Sequence, residues 1–217
     1  MRRHRIRLVL FGGLCLGLVS CVPWTVRPIE EDSSTAGGHP GPSAYVDAVW
    51  NSRVMPKILG EAMDAATLLA AIGVSPANAR AAYGHHNRSG STYFIVKGAG
   101  RVVSVNAQSR SRLLLVDVAP YDRHPDLSIQ IGPVLRGMSL RDATGAIDFS
   151  DFRNQLEYAD VGIEINSRIL HTVLRDLDVT ALKDKLVSFT GTAQAGESSD
   201  RFIRDLVPVR LDVERHP

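Results

Sequence analysis

Ser91-Thr92-Tyr93-Phe94-Ile95-Val96 is the stretch in which this 217-residue sequence changes from a helical to a strand-like composition. Aromatic and β-branched residues dominate the stretch, and these residue types favour strands. Lys97-Gly98-Ala99-Gly100 follows and predicts a turn, after which residues 101–106 again have strand composition. Further strands are predicted over residues 112–118 and 126–131, and the last of these alternates polar and apolar side chains.

A long helix is predicted next, over residues 151–174. Its apolar residues recur at helical spacing and predict one face that packs on the core. They are Phe152, Leu156, Ala159, Ile163, Ile169, Leu170, Val173 and Leu174. Asp148 or Ser150 is expected to cap the helix, because a side-chain oxygen there accepts hydrogen bonds from free backbone N–H groups.

Two more strands complete the pattern, over residues 186–191 and 206–213, and residues 192–204 are predicted to be a mobile hairpin loop. From about residue 94, the order is three strands, a long helix and two strands. This is the order of the five-stranded OB barrel, whose helix lies between strands 3 and 4. We therefore predict an OB-like barrel domain over residues 91–217.

The residues before this domain, 43–90, are predicted to form a helical subdomain. Pro56 is expected to split or kink its helical pattern, since proline lacks the backbone N–H that a helix interior needs. Ser75-Pro76 predicts the start of another helix, with a capping serine followed by proline at the first helical position. The predicted fold class is therefore α+β, with helices first and the sheet second.

The chain begins with a short basic head, Met1-Arg2-Arg3-His4-Arg5-Ile6-Arg7, which an apolar run over residues 8–19 follows. A basic head, an apolar stretch and a small residue before the cut are typical of a secretory signal. The apolar run is shorter than the roughly 20 residues that a membrane-spanning helix needs. Residues 1–20 are therefore predicted to be a signal peptide.

The signal closes with Leu18-Val19-Ser20-Cys21, which resembles the lipobox at which bacterial lipoproteins are processed. The resemblance implies cleavage before Cys21 and attachment of acyl chains such as palmitate, and two or three such chains hold a soluble domain on a membrane. An ordinary signal peptide or an N-terminal transmembrane anchor is the alternative. Residues 21–42, rich in Glu, Asp, Ser, Gly and Pro, are predicted to be the lipidated tether.

The charge and the cysteine content limit the classes of protein to which the mature domain can belong. Four of the 25 Lys and Arg residues lie in the predicted signal, so its removal leaves 21 basic against 23 acidic side chains, a net charge of −2. This balance disfavours a nucleic-acid-binding protein. The two cysteines are Cys15, in the signal, and Cys21, so the mature domain has no thiol for a disulfide or a metal. We expect no cofactor.

Sequence motifs for familiar catalytic chemistry are not found in the chain. It has no Gly-x-Ser-x-Gly, P-loop, Gly-x-Gly-x-x-Gly or His-Glu-x-x-His pattern. His85-His86 begins a predicted polar loop over residues 85–90, and the other histidines do not stand at ligand spacing from it. We therefore predict no metal site.

Long polar side chains cluster around the predicted connection between the third strand and the long helix. The candidate binding residues are Arg136, Arg153, Asn154, Gln155 and Tyr158, with Arg141 beside them. A cluster of arginine and amide groups suits a carboxylate, a sugar or a partner protein. The structural alternative is that these residues satisfy the hydrogen-bonding groups at helix and strand ends.

Several stretches, in order along the chain, resemble those of one family. They are Tyr45-Val46-Asp47-Ala48-Val49-Trp50, Val96-Lys97-Gly98 with Val102-Val103-Ser104-Val105, Gln130-Ile131-Gly132-Pro133-Val134 with Arg136-Gly137, residues 149–158, and Val187-Ser188-Phe189-Thr190-Gly191. With the lipobox, they resemble the predicted periplasmic lipoproteins called domain of unknown function 2291. Genes of that family tend to lie beside sugar ABC transporters. The resemblance implies a role accessory to sugar uptake, and it carries over no functional residue beyond Cys21.

The leading hypothesis is a lipid-anchored, non-enzymatic binding or accessory module that faces the periplasm. Its expected partners are the membrane and either a sugar ABC transporter component or the solute-binding protein. The alternative is a hydrolase of envelope carbohydrate that uses acids at the barrel mouth, such as Asp117, Asp148 or Glu157. Such an enzyme needs two carboxyl groups roughly 5 to 10 Å apart. A third hypothesis makes residues 43–83 an oligomerisation surface.

Overall fold

The structure is a computed structural model and describes residues 40–196 and 201–214. Residues 40–217 belong to one compact unit. The predicted signal peptide, Cys21 and most of the predicted tether lie outside the described residues. No helix within the described ranges is long and apolar enough to cross a membrane.

Four α-helices open the described chain. They are α1 (Pro42–Val49), α2 (Met55–Glu61), α3 (Ala65–Val74) and α4 (Pro76–Tyr83), and a π-helical turn (Trp50–Val54) joins α1 to α2. Pro56 is the second residue of α2, so the change of helix type falls where the sequence predicts a split or kink. Ser75 caps α4 as predicted, because its hydroxyl accepts a hydrogen bond from the N–H of Asn78 at 3.3 Å.

A two-residue strand lies between α2 and α3, and the other strands and the remaining helices follow α4. The strands are β1 (Met63–Asp64), β2 (His85–His86), β3 (Thr92–Asn106), β4 (Leu113–Val118), β5 (Leu127–Gln130), β6 (Leu186–Gln194) and β7 (Ile203–Val213). Between β5 and β6 lie α5 (Ser139–Asp142), a 3-10 turn (Phe149–Asp151), α6 (Gln155–Thr172) and a second 3-10 turn (Val179–Ala181). The predicted loop over residues 192–204 is too long, since β6 and β7 extend into it from both sides.

The strands β3 to β7 pair in a closed ring. β3 pairs antiparallel with both β4 and β6, β4 with β5, and β6 with β7. The ring closes through β5 and β7, which run parallel. The two-residue strands β1 and β2 both pair with β3. The predicted α+β class is thereby confirmed.

β3 is continuous across residues 97–100, and the turn predicted there is wrong. Gly98 and Gly100 both pair with β6. A Cβ atom at Gly100 would lie 2.6 Å from the carbonyl oxygen of Asp117 in β4, and one at Gly98 would lie 2.9 Å from the Cβ of Ala65 in α3. The glycines therefore let neighbouring elements approach the strand closely, which is a common reason for glycine inside a sheet.

The core lies between the ring of strands and the helices. Its largest fully buried apolar side chains are Ile58, Leu68, Leu69, Ile95, Leu114, Leu127, Ile129, Leu140, Ile165, Ile169 and Leu206. They come from α2, α3, α5 and α6 as well as from the sheet, and they form one cluster. The N-terminal helices therefore share their core with the strands.

The long helix α6 begins later than predicted because a different residue caps it. Oδ1 of Asn154 accepts hydrogen bonds from the N–H groups of Leu156 and Glu157, both at 2.9 Å. Asp148 caps the preceding 3-10 turn instead, accepting from the N–H of Ser150 at 2.8 Å. The expectation that Asp148 or Ser150 caps the long helix is therefore wrong.

The buried face of α6 also differs from the predicted one. Its buried residues are Val161, Gly162, Ile165, Asn166 and Ile169. Leu156 and Ile163, both predicted to be in the core, are 75% and 57% exposed. At 3.6 residues per turn, both lie on the side of the helix opposite Ile165. The helix carries two apolar stripes, and only one of them meets the core.

Candidate functional site

Asp142 is the centre of a buried hydrogen-bond network that joins α5, α6 and β3. The residue is 9% exposed. The hydroxyl of Tyr158 donates to its Oδ1 at 3.0 Å, and the hydroxyl of Tyr93 donates to its Oδ2 at 3.1 Å. Nε of Arg141 donates to Oδ1 at 2.7 Å. Three donors therefore satisfy this carboxylate and offset the cost of burying its charge.

The guanidinium of Arg141 is held against Tyr158 as well. Its Cζ lies 3.6 Å from the centroid of the Tyr158 ring, within the range of a cation–π interaction. Its Nη1 donates to the carbonyl oxygen of Tyr158 at 2.8 Å. The ion pair, the ring contact and this hydrogen bond together fix the first turns of α6 on α5.

The tyrosine hydroxyls of the network are weak acids in this setting. Burial, followed by the nearby charge of Asp142, raises the pKa of Tyr158 to about 12, against the opposing charge of Arg141. Burial also raises the pKa of Tyr93, and Asp142 adds to the rise. Both hydroxyls stay protonated near neutral pH, so they serve as donors and are poorly matched to proton transfer.

An aromatic cluster extends this network to α1. The ring of Phe152 lies 4.9 Å from that of Tyr45 and 5.5 Å from that of Tyr158, and Phe149 lies 5.5 Å from Tyr158. The hydroxyl of Tyr45 donates to Asp151 at 3.0 Å. Burial, followed by this hydrogen bond, raises the pKa of Tyr45 to about 12. Tilted aromatic pairs add stability beyond their buried area, so the segment before α6 is firmly packed.

Of this network, the sequence singles out Tyr158 for binding and places Arg141 beside the candidate residues, while Tyr93 and Asp142 are not among them. The contact between Tyr93 and Asp142 joins residues 49 positions apart. No periodicity or motif marks such a contact in a single sequence. The dense polar composition of residues 149–158 is the one signal that points to this region.

Arg136 contacts β7, unlike the other predicted binding residues. Its Nη2 lies 3.6 Å from Oδ2 of Asp205. Its backbone N–H donates to Oε1 of Gln130 at 2.7 Å, and Nε2 of Gln130 donates back to its carbonyl oxygen at 3.0 Å. These contacts tie the segment after β5 to the end of that strand.

Arg153, Asn154 and Gln155 stand together at the start of α6. Nε of Arg153 pairs with Oε1 of Glu157 at 2.8 Å, and its backbone N–H donates to Oε2 of the same residue at 2.9 Å. Asn154 is the helix cap, and Gln155 is an exposed first residue. Their local partners favour the structural alternative for Arg153 and Asn154, and a binding role for the cluster stays a prediction.

The three carboxylates of the hydrolase hypothesis have different surroundings. Oδ2 of Asp148 pairs with Nη2 of Arg88 at 2.7 Å. Glu157 is engaged by Arg153 in the first turn of α6. Asp117 lies in β4 and is 1% exposed. Two of the three acids are therefore held in local ion pairs on the surface.

His85 and His86 form the strand β2, although a loop is predicted there. Nδ1 of His85 lies 3.5 Å from Oε2 of Glu61, and burial lowers the pKa of this histidine. Nδ1 of His86 lies 3.1 Å from Oγ1 of Thr92. Within the described residues, no three side chains of His, Cys, Asp or Glu come together in a way that could hold a metal ion.

The outer stripe of α6, formed by Leu156 and Ile163, is an apolar surface that does not contact the core. The two residues are seven positions apart and therefore lie on one face, about 10 Å apart along the helix axis. Asp160 is exposed between them. Helix α1 packs on another side of α6, where Arg168 pairs with Asp47. The outer stripe thus stays exposed on a helix whose opposite face packs on the core.

The sequence profile of one family, described as predicted periplasmic lipoprotein (DUF2291), matches residues 11–212. The chain belongs to this family. The match includes Cys21 and nearly all of the described residues, and it confirms the resemblance seen in the sequence. The lipoprotein is accordingly assigned to the periplasm, in association with a membrane.

A solved structure supports the fold of the lipoprotein. The crystal structure of an OB-fold protein from Thermotoga maritima superimposes with a TM-score of 0.65 at 21% identity, covering 82% of this chain and 100% of that one. At this identity the likeness concerns the fold alone, and it confirms the predicted OB-like character. No curated protein matches the sequence.

Proposed function

We propose that the lipoprotein is held to the membrane by acyl chains on Cys21 and acts as a non-enzymatic accessory module of a sugar ABC transport system. In this proposal the ring of β3 to β7 is an OB-like barrel that serves as a rigid support. The outer stripe of α6 is the surface that docks on a periplasmic protein of the transporter. Family membership supports the lipid anchor. The link to sugar transport extends the expectation drawn from the family resemblance.

The exposure of Leu156 and Ile163 is the observation that carries this proposal. These side chains are 75% and 57% exposed on one face of an otherwise well-packed helix. Burying a leucine or isoleucine side chain contributes about 1.5–3 kcal/mol each. A partner that covers both would gain this free energy without any rearrangement of α6, because the network around Asp142 already fixes the helix.

The stripe also indicates what the partner surface should look like. It should offer two apolar depressions about 10 Å apart, the rise of seven helical residues. A basic or hydrogen-bond-donating group should lie between them, opposite Asp160, which is exposed there. A charged group at the rim of an interface contributes more to orientation and association rate than to affinity.

The hydrolase alternative has less support from the arrangement of its acids. Hydrolysis of a glycosidic bond needs one carboxylic acid and one carboxylate at a defined separation on either side of the bond. Asp148 is paired with Arg88, and Glu157 is paired with Arg153. Each of these acids has a simpler role in holding a surface turn or the first turn of α6.

The test is recovery of partners from membranes after chemical cross-linking. The full-length, lipidated protein would be tagged and compared with a variant that carries Leu156→Glu and Ile163→Glu. Both positions are exposed, so the variant should fold normally, while a charge in the stripe opposes apolar contact. We expect the natural protein to recover a transporter component or its solute-binding protein, and the variant to recover much less.

Val74→Glu is the matched control, because Val74 is 88% exposed and lies at the end of α3. The control should recover partners as well as the natural protein does. Equal recovery by the stripe variant, or no transport protein from any sample, would contradict the proposal. Sedimentation of the detergent-solubilised chain separates the remaining case, a second copy of the protein docked on the stripe.

A further inference from the structure

A surface pocket lies beside the paired strands β3 and β4, and Asp117 of the hydrolase hypothesis is one of its lining residues. It has a volume of about 490 Å³, and its lining is formed by Arg101, Val102, Val103, Asp117, Tyr121, Arg123 and Asp184. Pockets that hold small molecules commonly have about 300–1,000 Å³. The size is therefore suitable for a small organic ligand.

Asp117 is the unusual residue in this lining. Its Oδ2 accepts a hydrogen bond from the backbone N–H of Arg123 at 2.8 Å. Its Oδ1 is buried and has no hydrogen-bond partner among the described residues. A buried carboxylate oxygen without a donor costs free energy, and a ligand that brings a donor would recover it.

Two arginines, Arg101 and Arg123, line the pocket together with this carboxylate. Arg101 faces Asp117 across the antiparallel pair of strands. Its Nη1 donates to the carbonyl oxygen of Asp184 at 3.3 Å, and its Cζ lies 5.6 Å from the centroid of the Tyr121 ring. Neither Arg101 nor Arg123 forms an ion pair with another described residue. Both groups therefore remain available for an anion, and Arg101 is already oriented.

The charges of the lining restrict the kind of anion. Asp117 and Asp184 balance the two arginines, so the lining as a whole is close to neutral. A singly charged carboxylate suits two guanidinium forks in such a setting better than a doubly charged phosphate does. A donor on the same ligand would satisfy the free oxygen of Asp117, and a hydroxyl near the carboxylate supplies one.

We propose that this pocket binds a small hydroxy acid. The ligand carboxylate is held by the guanidinium groups of Arg101 and Arg123, and a ligand hydroxyl donates to Oδ1 of Asp117. The exposed ring of Tyr121 covers the apolar side of the ligand. This site is separate from the outer stripe of α6, so a test of the pocket is independent of the proposed docking surface.

Three probes of equal carbon-chain length test the carboxylate contact and the hydroxyl contact separately. D-gluconate has a carboxylate and hydroxyls, D-glucitol has only hydroxyls, and hexanoate has only the carboxylate. Calorimetric titration of the full-length protein in detergent should show that gluconate binds in the millimolar range or tighter. Glucitol and hexanoate should each bind at least about tenfold more weakly, since each lacks one of the two groups.

Variants assign the contacts. Arg123→Ala should weaken gluconate binding by about tenfold or more, and Arg123→Lys should restore part of it, since lysine keeps the charge but not the fork. Asp117→Asn keeps the acceptor for the N–H of Arg123 and should reduce the preference for gluconate over hexanoate. Arg175→Ala is the control, because Arg175 is exposed and its one ion pair among the described residues is with its neighbour Asp176.

The outcome that overturns the proposal is equally clear. One such result is failure of gluconate to bind the folded protein at millimolar concentration, or binding no tighter than that of glucitol and hexanoate. Another is equal binding of gluconate by Arg123→Ala and Arg175→Ala. Any of these results would mean that the pocket does not recognise a hydroxy acid. A thermal unfolding curve for each variant shows whether a loss of binding reflects a loss of fold.

Discussion

The hydroxyl of Tyr158 on α6 donates a hydrogen bond of 3.0 Å to Oδ1 of Asp142 on α5. Because the carboxylate of Asp142 is buried, this bond contributes to the packing of α6 on α5. It holds the first turn of α6 against α5. Tyr158 is two residues after Leu156, which belongs to the outer stripe. The rigid display of the outer stripe therefore depends on a contact inside the protein.

Tyr158→Phe should lower the free energy of unfolding by about 1–3 kcal/mol, the usual cost when a buried charged acceptor loses a donor. Urea denaturation measures the change. Tyr83→Phe is the matched control, since Tyr83 is 40% exposed at the end of α4, and it should change stability little. If the two variants are equally stable, the Asp142 network does not hold α6 in place.

Tyrosine ionisation gives a test of the same network at high pH. Tyr158 and Tyr45 have pKa values of about 12, above the value of 10.0 for an unperturbed tyrosine. Their protonated forms thus stabilise the folded state fully below pH 10, and this contribution is lost as the pH rises from 10 to 12. Near-ultraviolet absorbance should show tyrosines that ionise at about pH 12, and Tyr158→Phe should remove one of them. Titration of every tyrosine near pH 10 in the folded protein would contradict the burial of Tyr158.

Residues 98–100 show how far local sequence determines a strand. Two glycines close together normally predict a turn, yet here they remove side chains that would strike β4 and α3. A turn and a close approach both select glycine, so a single sequence cannot separate the two causes. The composition of the flanking residues did predict strand on both sides, and that part is confirmed.

Gly100→Ala should destabilise the protein by about 2 kcal/mol or more, because the new Cβ would press on the backbone of Asp117 and the side chain of Val116. Gly60→Ala is the contrasting change. Gly60 lies inside α2 with open space around it, so alanine should stabilise the helix by up to about 1 kcal/mol. Thermal or urea unfolding of both variants checks the pair, and similar effects of the two changes would contradict the close packing at Gly100.

The long helix shows a second limit of reasoning from sequence. Its existence and approximate extent follow from apolar residues at helical spacing, and both are confirmed. Its cap was assigned to the wrong residue, because Asp148, Ser150 and Asn154 all have suitable side chains and only the backbone path selects Asn154. Leu156 and Ile163 are wrongly predicted to be buried. Both apolar stripes of α6 recur at helical spacing, so the spacing alone does not show which stripe faces the core.

Contacts between residues that are far apart in the chain cannot be predicted from a single sequence in this way. Tyr93 and Asp142, or Arg101 and Asp117, are brought together by strand register and helix placement. Neither pair has a spacing or a motif that marks it in the chain. The candidate residues Arg153, Asn154, Gln155 and Tyr158 are marked by composition alone, because they lie close together in the sequence.

Asp126 gives a pH-dependent prediction near the proposed pocket. Burial raises its pKa above the usual 3.8, and the charges of Asp117 and Asp122 add to the rise, against a hydrogen bond from Val118 and the charge of Arg201. The folded state therefore holds this proton more tightly than the unfolded state does. The protonated residue stabilises the fold below the unfolded pKa, and this contribution is lost as the pH rises through the raised value.

Asp126→Asn should consequently gain stability relative to the natural protein as the pH rises from about 4 to about 7. Asparagine keeps an acceptor for the N–H of Val118, which Oδ2 of Asp126 receives at 2.9 Å. Urea denaturation of both proteins at several pH values measures the difference in unfolding free energy. A difference that stays constant or moves the other way would contradict the raised pKa.

Labelling with radioactive palmitate tests the lipid anchor most directly, since every other part of the proposed function requires the protein to be held at the membrane through Cys21. Cells that produce the natural protein should yield a labelled, processed form in the membrane fraction. Cys21→Ala should remain an unprocessed and unlabelled precursor. Normal labelling of Cys21→Ala, or no labelling of the natural protein, would contradict the account.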